Sequence, residues 1–363
     1  MKHQFFKATR FIHAWGGITI ALLLLLSSIT GTLLVWKNEF VLLSFPNVER
    51  SFTATPELFA GLASRVEGHF DNNEIAQITF PTEAFPLVKV SLSEARYAYL
   101  DLDGNILDLW VQNERWEEWL YDLHHRLLLD DLGLTIVGLA ALAMSILVLV
   151  GLITFWPLRR GLRQGFWPKD MSRTRLLVSH RNLGVIEALP LLMTLITAAV
   201  LAFPDQAEYY LLEPFRGEDY SLDFSDNVDD ISGGNSGDWL PAIQRAMVAF
   251  PDAEVRSAEV PNSFYSYRVI GLQQADELHP EGLSKIYIDA TEGWMDLRID
   301  SQNQHISERL YYTAYPLHTG RFNNLFYKVF LTLSGLLVSI LSLLGIFSFI
   351  KKYTRKNREI ITS

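Results

Sequence analysis

Four histidines are distributed one to each hydrophobic span of this 363-residue chain: His13, His124, His180 and His318. His13 and His180 stand at the start of the first and third spans, whereas His124 and His318 stand just before the main apolar runs of the second and fourth spans. A neutral imidazole is a good axial ligand for haem iron, and two imidazoles fill both axial positions. The arrangement therefore predicts two non-covalent, bis-histidine b-type haems, one bound by His13 and His180 and the other by His124 and His318. Such sites favour electron transfer over oxygen binding, because no coordination position stays open.

The spans that carry these histidines are long enough to cross a bilayer core of roughly 30 Å, which needs about 20 apolar residues of helix. The chain is 49% hydrophobic with a mean hydropathy of +0.13, which is too apolar for an ordinary soluble protein of this size. The predicted fold class is a membrane α-helical protein with four transmembrane helices in two parallel repeats and two small α+β extracytoplasmic domains. The expected segments are a tail with the first span (1–36), a domain (37–123), the second span (124–156), a basic loop (157–179), the third span (180–203), a second domain (204–317), the fourth span (318–350) and a basic tail (351–363).

Lysine and arginine near the span ends predict the orientation, because these residues accumulate on the cytoplasmic side. The N-terminal tail, the loop between the second and third spans with the adjoining Arg181, and the C-terminal tail together hold 15 of the 31 basic residues. Both termini should therefore be cytoplasmic. The long acidic connections should face outward, and the net charge of −10 argues against nucleic acid as a partner.

The chain contains no cysteine. This excludes disulfides, thiolate metal sites, iron–sulfur clusters and covalent haem attachment. The first span continues apolar past the length of a signal peptide, which predicts an uncleaved membrane anchor.

Two constant offsets indicate an internal duplication. At an offset of 167, the first span matches the third, with His13 on His180 and the pair Ile29-Thr30 on Ile196-Thr197. At an offset of 194, the second span matches the fourth. There the matches are His124 on His318, 145–147 on 339–341, and Gly151 on Gly345. Both copies begin on the same side, so they are predicted to be parallel repeats. The neighbouring His125 has no counterpart, and His124 is therefore the expected ligand.

Both outer segments have the pattern of a helix followed by half-buried strands. A helix is predicted at Pro56–His69, with Thr55 as its N-cap and Pro56 at the first helical position. The second segment repeats the plan after a glycine-rich loop at 226–238, with a helix at 239–250. Each module has a small core, so the two are expected to pack on each other or on the helix ends.

These motifs resemble a known family. The order of helix, ITFP, alternating strands and YLDLDGNIL is similar to the PepSY domain, and the spans carry HAWGG, LHHRLLLDDLG, SHRNLG and PLHTGR. Together they resemble the PepSY-associated transmembrane family of bacterial inner membranes over essentially the whole chain. Some members are di-haem reductases that release iron from ferric siderophores for iron uptake. The resemblance implies that the four span histidines bind haem and that the outer domains are PepSY-like and periplasmic. The third span departs from the family in ITAAVLAF, where members often have Thr-Gly.

Three further residues are candidates for the same chemistry. Arg126 and Arg321 follow their histidines closely and are candidates to pair with haem propionates, and simple snorkelling at the interface is the alternative explanation. Glu187 is the one acidic residue within the apolar runs of the four spans, which are Phe11–Trp36, Leu132–Trp156, Leu183–Phe203 and Leu325–Ile350. An ionisable residue there marks a functional site by default. It is a candidate proton relay or quinol contact, and a partnered structural carboxyl is the alternative.

The predicted function is an inner-membrane oxidoreductase that passes electrons outward through two haems to ferric iron in a siderophore. Its donor is expected to be a quinol or a separate reductase, because the chain has no dinucleotide-binding motif. With a helical rise of roughly 1.5 Å per residue, the two histidine levels would lie more than about 30 Å apart, which is long for direct electron transfer unless macrocycle edges, helix tilt or a further centre shorten the gap. The alternative is a haem-free envelope protein that binds or restrains a periplasmic peptidase. A transporter is disfavoured, since Pro190 is the only proline deep in a span.

Overall fold

The computed structural model describes residues 2–159, 165–215, 238–263, 267–289, 295–321 and 324–361. The glycine-rich loop predicted at 226–238 lies outside these residues except for Asp238. The helices are α1 (Lys2–Leu34), α2 (Lys37–Leu43), α3 (Pro56–His69), α4 (Trp116–Arg126), α5 (Asp130–Phe155), α6 (Arg173–Ala202), α7 (Pro204–Leu211), α8 (Trp239–Ala249), α9 (Ile306–Thr319) and α10 (Leu325–Ile361). The strands are β1 (Ile75–Thr79), β2 (Val88–Leu92), β3 (Arg96–Leu100), β4 (Ile106–Val111), β5 (Glu254–Glu259), β6 (Tyr267–Gln273), β7 (Ser284–Asp289) and β8 (Met295–Ile299).

Helices α1, α5, α6 and α10 are long and apolar enough to cross a membrane. They form a closed ring in which α1 and α6 each contact both α5 and α10, so that α1 and α6 lie diagonally opposite. Leu22 and Leu189 remain 72% and 77% exposed on the outer surface of the ring. Apolar side chains this exposed are expected to contact lipid, because lipid tails are as apolar as leucine. The chain is therefore a multi-pass membrane protein.

A sharp break precedes both α5 and α10. Leu127 and Leu128 adopt left-handed conformations with φ of 53° and 59° between α4 and α5, and Gly320 caps α9 at φ 71°. The segments expected at 124–156 and 318–350 are each divided by these breaks. As a result, the short helices α4 and α9 fold back beside α1 and α6, respectively, rather than continuing the membrane helices.

The two outer domains share one antiparallel sheet of eight strands in the order β4-β3-β2-β1-β5-β6-β7-β8. They join where β1 pairs with β5, with Ile78 opposite Ala258. Helices α3 and α8 pack on one face of the sheet around a common apolar core. Because neither module buries much surface alone, the shared core explains how both are stabilised.

The helix and cap predicted in the first domain are confirmed. Helix α3 spans Pro56–His69, and Thr55 Oγ1 accepts a hydrogen bond from Leu58 N at 3.2 Å. The sheet is connected to α4 and α9, so it lies at the end of the bundle that carries His124 and His318. This end is called the domain end below, and the opposite end, where α1 and α6 begin, is called the basic end.

Candidate functional site

The four candidate histidines form two pairs, one near each end of the bundle. The ring centres of His13 and His180 are 6.1 Å apart, and those of His124 and His318 are also 6.1 Å apart. Two imidazoles that bind one metal ion from opposite sides, through metal–nitrogen bonds of about 2 Å, hold their ring centres about 6 Å apart. Both pairs therefore have the spacing that a shared metal ion requires. Each pair takes one histidine from each copy of the repeat.

The pair at the basic end is held by backbone carbonyl oxygens of the two other membrane helices. Nδ1 of His13 lies 3.0 Å from the carbonyl oxygen of Leu147, and Nδ1 of His180 lies 3.0 Å from that of Leu341. Since a carbonyl oxygen only accepts, Nδ1 must carry the hydrogen in both rings. The lone pair of the neutral ring is then on Nε2, which is the tautomer that a metal ligand needs.

The pair at the domain end is held by threonine hydroxyls of α1 and α6. His124 Nδ1 is 2.9 Å from Thr30 Oγ1, and His318 Nδ1 is 3.2 Å from Thr197 Oγ1. Each hydroxyl donates to a carbonyl oxygen one turn earlier in its own helix and so accepts from Nδ1–H. The carbonyl of Thr194 is a further acceptor for His318, at 3.2 Å. These bonds leave Nε2 of both rings free as a ligand.

Burial keeps the histidines of the domain end neutral. Burial, with His318 nearby, lowers the pKa of His124 to about 3. Burial also lowers the pKa of His318 to about 4. Neutral imidazole is the form that coordinates a metal, so the electrostatics of this pair suit ligation.

Glycines give two of the four imidazoles their space. A Cβ added at Gly31 would lie 2.9 Å from Cε1 of His124, and one added at Gly151 would lie 3.0 Å from Cε1 of His13. A Cβ added at the counterpart Gly345 would lie 3.5 Å from Cε1 of His180, which is an ordinary van der Waals contact. An added Cβ at Gly17 would meet nothing within 4 Å, so that glycine does not have this role.

The two histidine levels are closer than their positions along the sequence suggest. His124 lies beside Thr30, which is 17 residues after His13 on α1, and His318 lies beside Thr197, which is 17 residues after His180 on α6. At about 1.5 Å per residue, the levels are about 26 Å apart along the helices. The expected separation of more than 30 Å was too long, because α4 and α9 fold back into the bundle.

A cavity of about 410 Å³ adjoins the pair at the domain end. Its walls come from α1, α5, α6 and α10 and are mostly apolar, with Ile20, Met144 and Val338 at the deeper levels. His124 and His318 both line it. Apolar walls and two converging imidazoles suit a flat, mostly apolar ligand such as a haem.

The sequence profile of the PepSY-associated TM region matches residues 10–352. The chain belongs to this family. Among proteins of curated function, none matches the chain significantly. The match includes the four membrane helices and the eight-stranded sheet, so all four candidate histidines lie within the matched region.

The two candidate arginines have different surroundings. Arg321 lines the cavity, and its Nη1 donates to the Tyr315 hydroxyl at 2.8 Å. Arg126 is half-buried at the end of α4 and is not among the described residues that line the cavity. Lys37, which the sequence analysis did not single out, also lines it and forms an ion pair of 2.9 Å with Glu118.

Glu187 lies inside the bundle between α6 and α10. Its side chain is buried, 2% exposed, and accepts a hydrogen bond from the Ser334 hydroxyl. The hydrogen bond from Ser334 gives the buried carboxyl of Glu187 a polar partner inside the bundle. His125 stands next to His124 but its ring packs on Tyr121, with 5.2 Å between ring centres.

The residues that hold the histidines were visible in the repeat, although their role was not. Thr30 and Thr197 match at the offset of 167, and Leu147 matches Leu341 at 194. In this PepSY-associated protein, the positions that match between the two copies therefore include the candidate histidines and also their hydrogen-bond partners. Lys37 has no such signal, because the offset of 167 places Pro204 opposite it.

Proposed function

We propose that this protein is an electron carrier of the bacterial inner membrane that holds two b-type haems and passes electrons outward. The observation that carries the proposal is the pair of histidine pairs, each with ring centres 6.1 Å apart and each with Nδ1 engaged. A haem with two imidazole ligands exchanges electrons without opening a coordination position.

The chain's own residues supply position and orientation. Leu147 and Leu341 orient the imidazoles at the basic end through backbone carbonyls, and Thr30 and Thr197 orient those at the domain end. Second-sphere bonds of this kind set the tautomer and raise ligand basicity. The mostly apolar walls of the cavity disfavour water around a bound macrocycle.

The proposed direction of transfer rests on the charge distribution. The basic segments favour cytoplasmic termini, and with that orientation the shared sheet would lie in the periplasm. Electrons would enter near His13 and His180 from a quinol or a separate reductase, and leave near His124 and His318. The proposed acceptor is ferric iron held by a siderophore, which one electron reduces to ferrous iron; reductases within the resembled family motivate this choice.

The test is a visible spectrum of the detergent-purified protein, oxidised and then reduced by dithionite, with a haem-to-protein ratio. Sharp low-spin b-type bands with about two haems per chain, as expected from two bis-imidazole sites, would support the proposal. A colourless protein from haem-sufficient cells would contradict the proposed electron transfer. It would favour the haem-free role, in which the shared sheet binds or restrains a periplasmic peptidase.

A further inference from the structure

The end of the cavity nearest the shared sheet, called its mouth below, carries charged and tyrosine side chains, in contrast to the apolar walls. Lys37, Arg321, Tyr121 and Tyr315 line it together with the histidine pair. Lys37 Nζ lies 5.1 Å from the ring centre of Tyr121. The Arg321 guanidinium donates to the Tyr315 hydroxyl at 2.8 Å. Two cations thus face one cavity, each with a tyrosine beside it.

Positive charge exceeds negative charge at this mouth. Lys37, Lys89 and Arg321 lie close enough to interact electrostatically with one another. Two carboxylates oppose these three cations: Glu118, which pairs with Lys37, and Glu281, which interacts with Arg321 and Lys89. In the described part of the chain, Arg321 forms no ion pair with a carboxylate. Burial lowers the pKa of Lys37 to about 8 despite Glu118. Because a buried charge is costly without a partner, an additional anion would stabilise this arrangement.

We propose that Lys37 and Arg321 form a carboxylate-binding site for the two acidic side chains on one edge of the haem held by His124 and His318. The inference rests on the proposed function and extends it to the placement of the cofactor. Arginine is always charged and presents a planar fork that matches a carboxylate, and lysine adds a second charge. The apolar remainder of the macrocycle contacts the apolar walls.

The site also selects one orientation of the ligand. The histidines have counterparts in the other copy of the repeat, but the two cations do not. Pro204 corresponds to Lys37 at the offset of 167, and Leu127 corresponds to Arg321 at the offset of 194. A symmetric pair of ligands allows a macrocycle to rotate about the line between them. Two cations at one side of the cavity remove that freedom by holding the acidic edge toward the domain end.

The decisive comparison uses iron protoporphyrin IX and its dimethyl ester, in which both carboxylates are neutral. Full-length protein purified without haem is titrated with each, in a His13→Ala background so that only the domain-end pair binds. A charge-assisted bond contributes enough that the ester should bind about tenfold or more weakly. In the Lys37→Gln/Arg321→Gln double variant this preference should fall to about onefold.

Arg126→Gln is the matched control, since Arg126 is a cation close to the same histidine that does not line the cavity. It should keep the full preference for the free acid. Equal binding of acid and ester by protein with Lys37 and Arg321 intact would overturn the inference without any variant that must fold. A preference that survives in the double variant would overturn it as well. Failure of both porphyrins to give a low-spin spectrum in the wild-type protein would instead contradict the proposed function.

Discussion

Nδ1 of His13 lies 3.0 Å from the backbone carbonyl oxygen of Leu147. The second copy repeats this bond between His180 and Leu341 at the same distance. A backbone acceptor does not depend on the side chain of Leu147, so substitutions there act through packing and not through the bond. The hydroxyl acceptors at the other pair are side chains and can be removed, which makes them the better test of imidazole orientation.

Thr30→Val removes the hydroxyl beside His124 while keeping the β-branched shape. We expect about tenfold weaker haem binding at the domain-end pair, at the lower end of the range for second-sphere partners, because the backbone of Ser27 remains as a hydrogen-bond partner of His124. The rate of haem transfer to an excess of apomyoglobin measures the change. Thr19→Val is the control, since Thr19 is exposed and bonds only Trp15 of its own helix. Equal haem loss from both variants would contradict the assigned role of Thr30.

His124→Ala should leave one haem per chain instead of two, because a pair that has lost one of its two imidazoles no longer holds its haem. His13→Ala should do the same but remove the other spectral component. His125→Ala should retain both haems, since that ring packs on Tyr121 instead of pairing with His318. The haem-to-protein ratio decides, and retention of two haems in His124→Ala would exclude His124 as a ligand.

Gly31→Ala should displace His124, because the added Cβ would lie 2.9 Å from Cε1 of the imidazole. Reduced haem occupancy at that pair is the expected result. Gly17→Ala is the matched control on the same helix, where the new methyl group meets nothing within 4 Å. Replacing this helical glycine should preserve both haems and stabilise the helix by up to about 1 kcal/mol. Unchanged occupancy in Gly31→Ala would show that the ring has room to move.

The stability of the domain end should depend on alkaline pH through Lys37. Burial lowers the pKa of Lys37 to about 8 in the folded protein, from an ordinary value of 10.5. Between these values the unfolded chain binds more protons, so the free energy of unfolding rises with pH. The unfolding temperature of the haem-free protein in detergent, measured from pH 7 to 10, tests this. In the control Lys37→Met/Glu118→Gln the rise should be smaller but not absent, because burial also lowers the pKa of Lys89. Parallel curves for the two proteins would refute the assignment.

Glu187→Gln should leave the unfolding temperature and both haem spectra close to those of the wild type. The amide oxygen of glutamine still accepts from Ser334, so the buried hydroxyl keeps its partner. Glu187→Leu removes that acceptor and should cost about 1–3 kcal/mol. A marked loss of quinol-driven reduction in Glu187→Gln, with unchanged spectra, would instead assign the carboxyl to proton transfer.

Much of the architecture follows from local sequence patterns. The apolar runs determined the four membrane helices, and the offsets of 167 and 194 determined which histidines correspond in the two copies. Thr55 and Pro56 determined where α3 begins. These features depend on residues a few positions apart or on repeated register, so the chain alone contains them.

Tertiary structure decided where those elements meet. The breaks before α5 and α10 carry His124 and His318 back to the level of Thr30 and Thr197, and this shortens the distance between the pairs. Pairing of β1 with β5 merges two small domains into one sheet. Lys37 reaches the mouth of the cavity because the chain turns after α1, and the internal repeat gives no indication of this position. Each of these contacts joins residues far apart in the chain, and the free energy of packing, which no local pattern encodes, selects among the arrangements that the helices and strands allow.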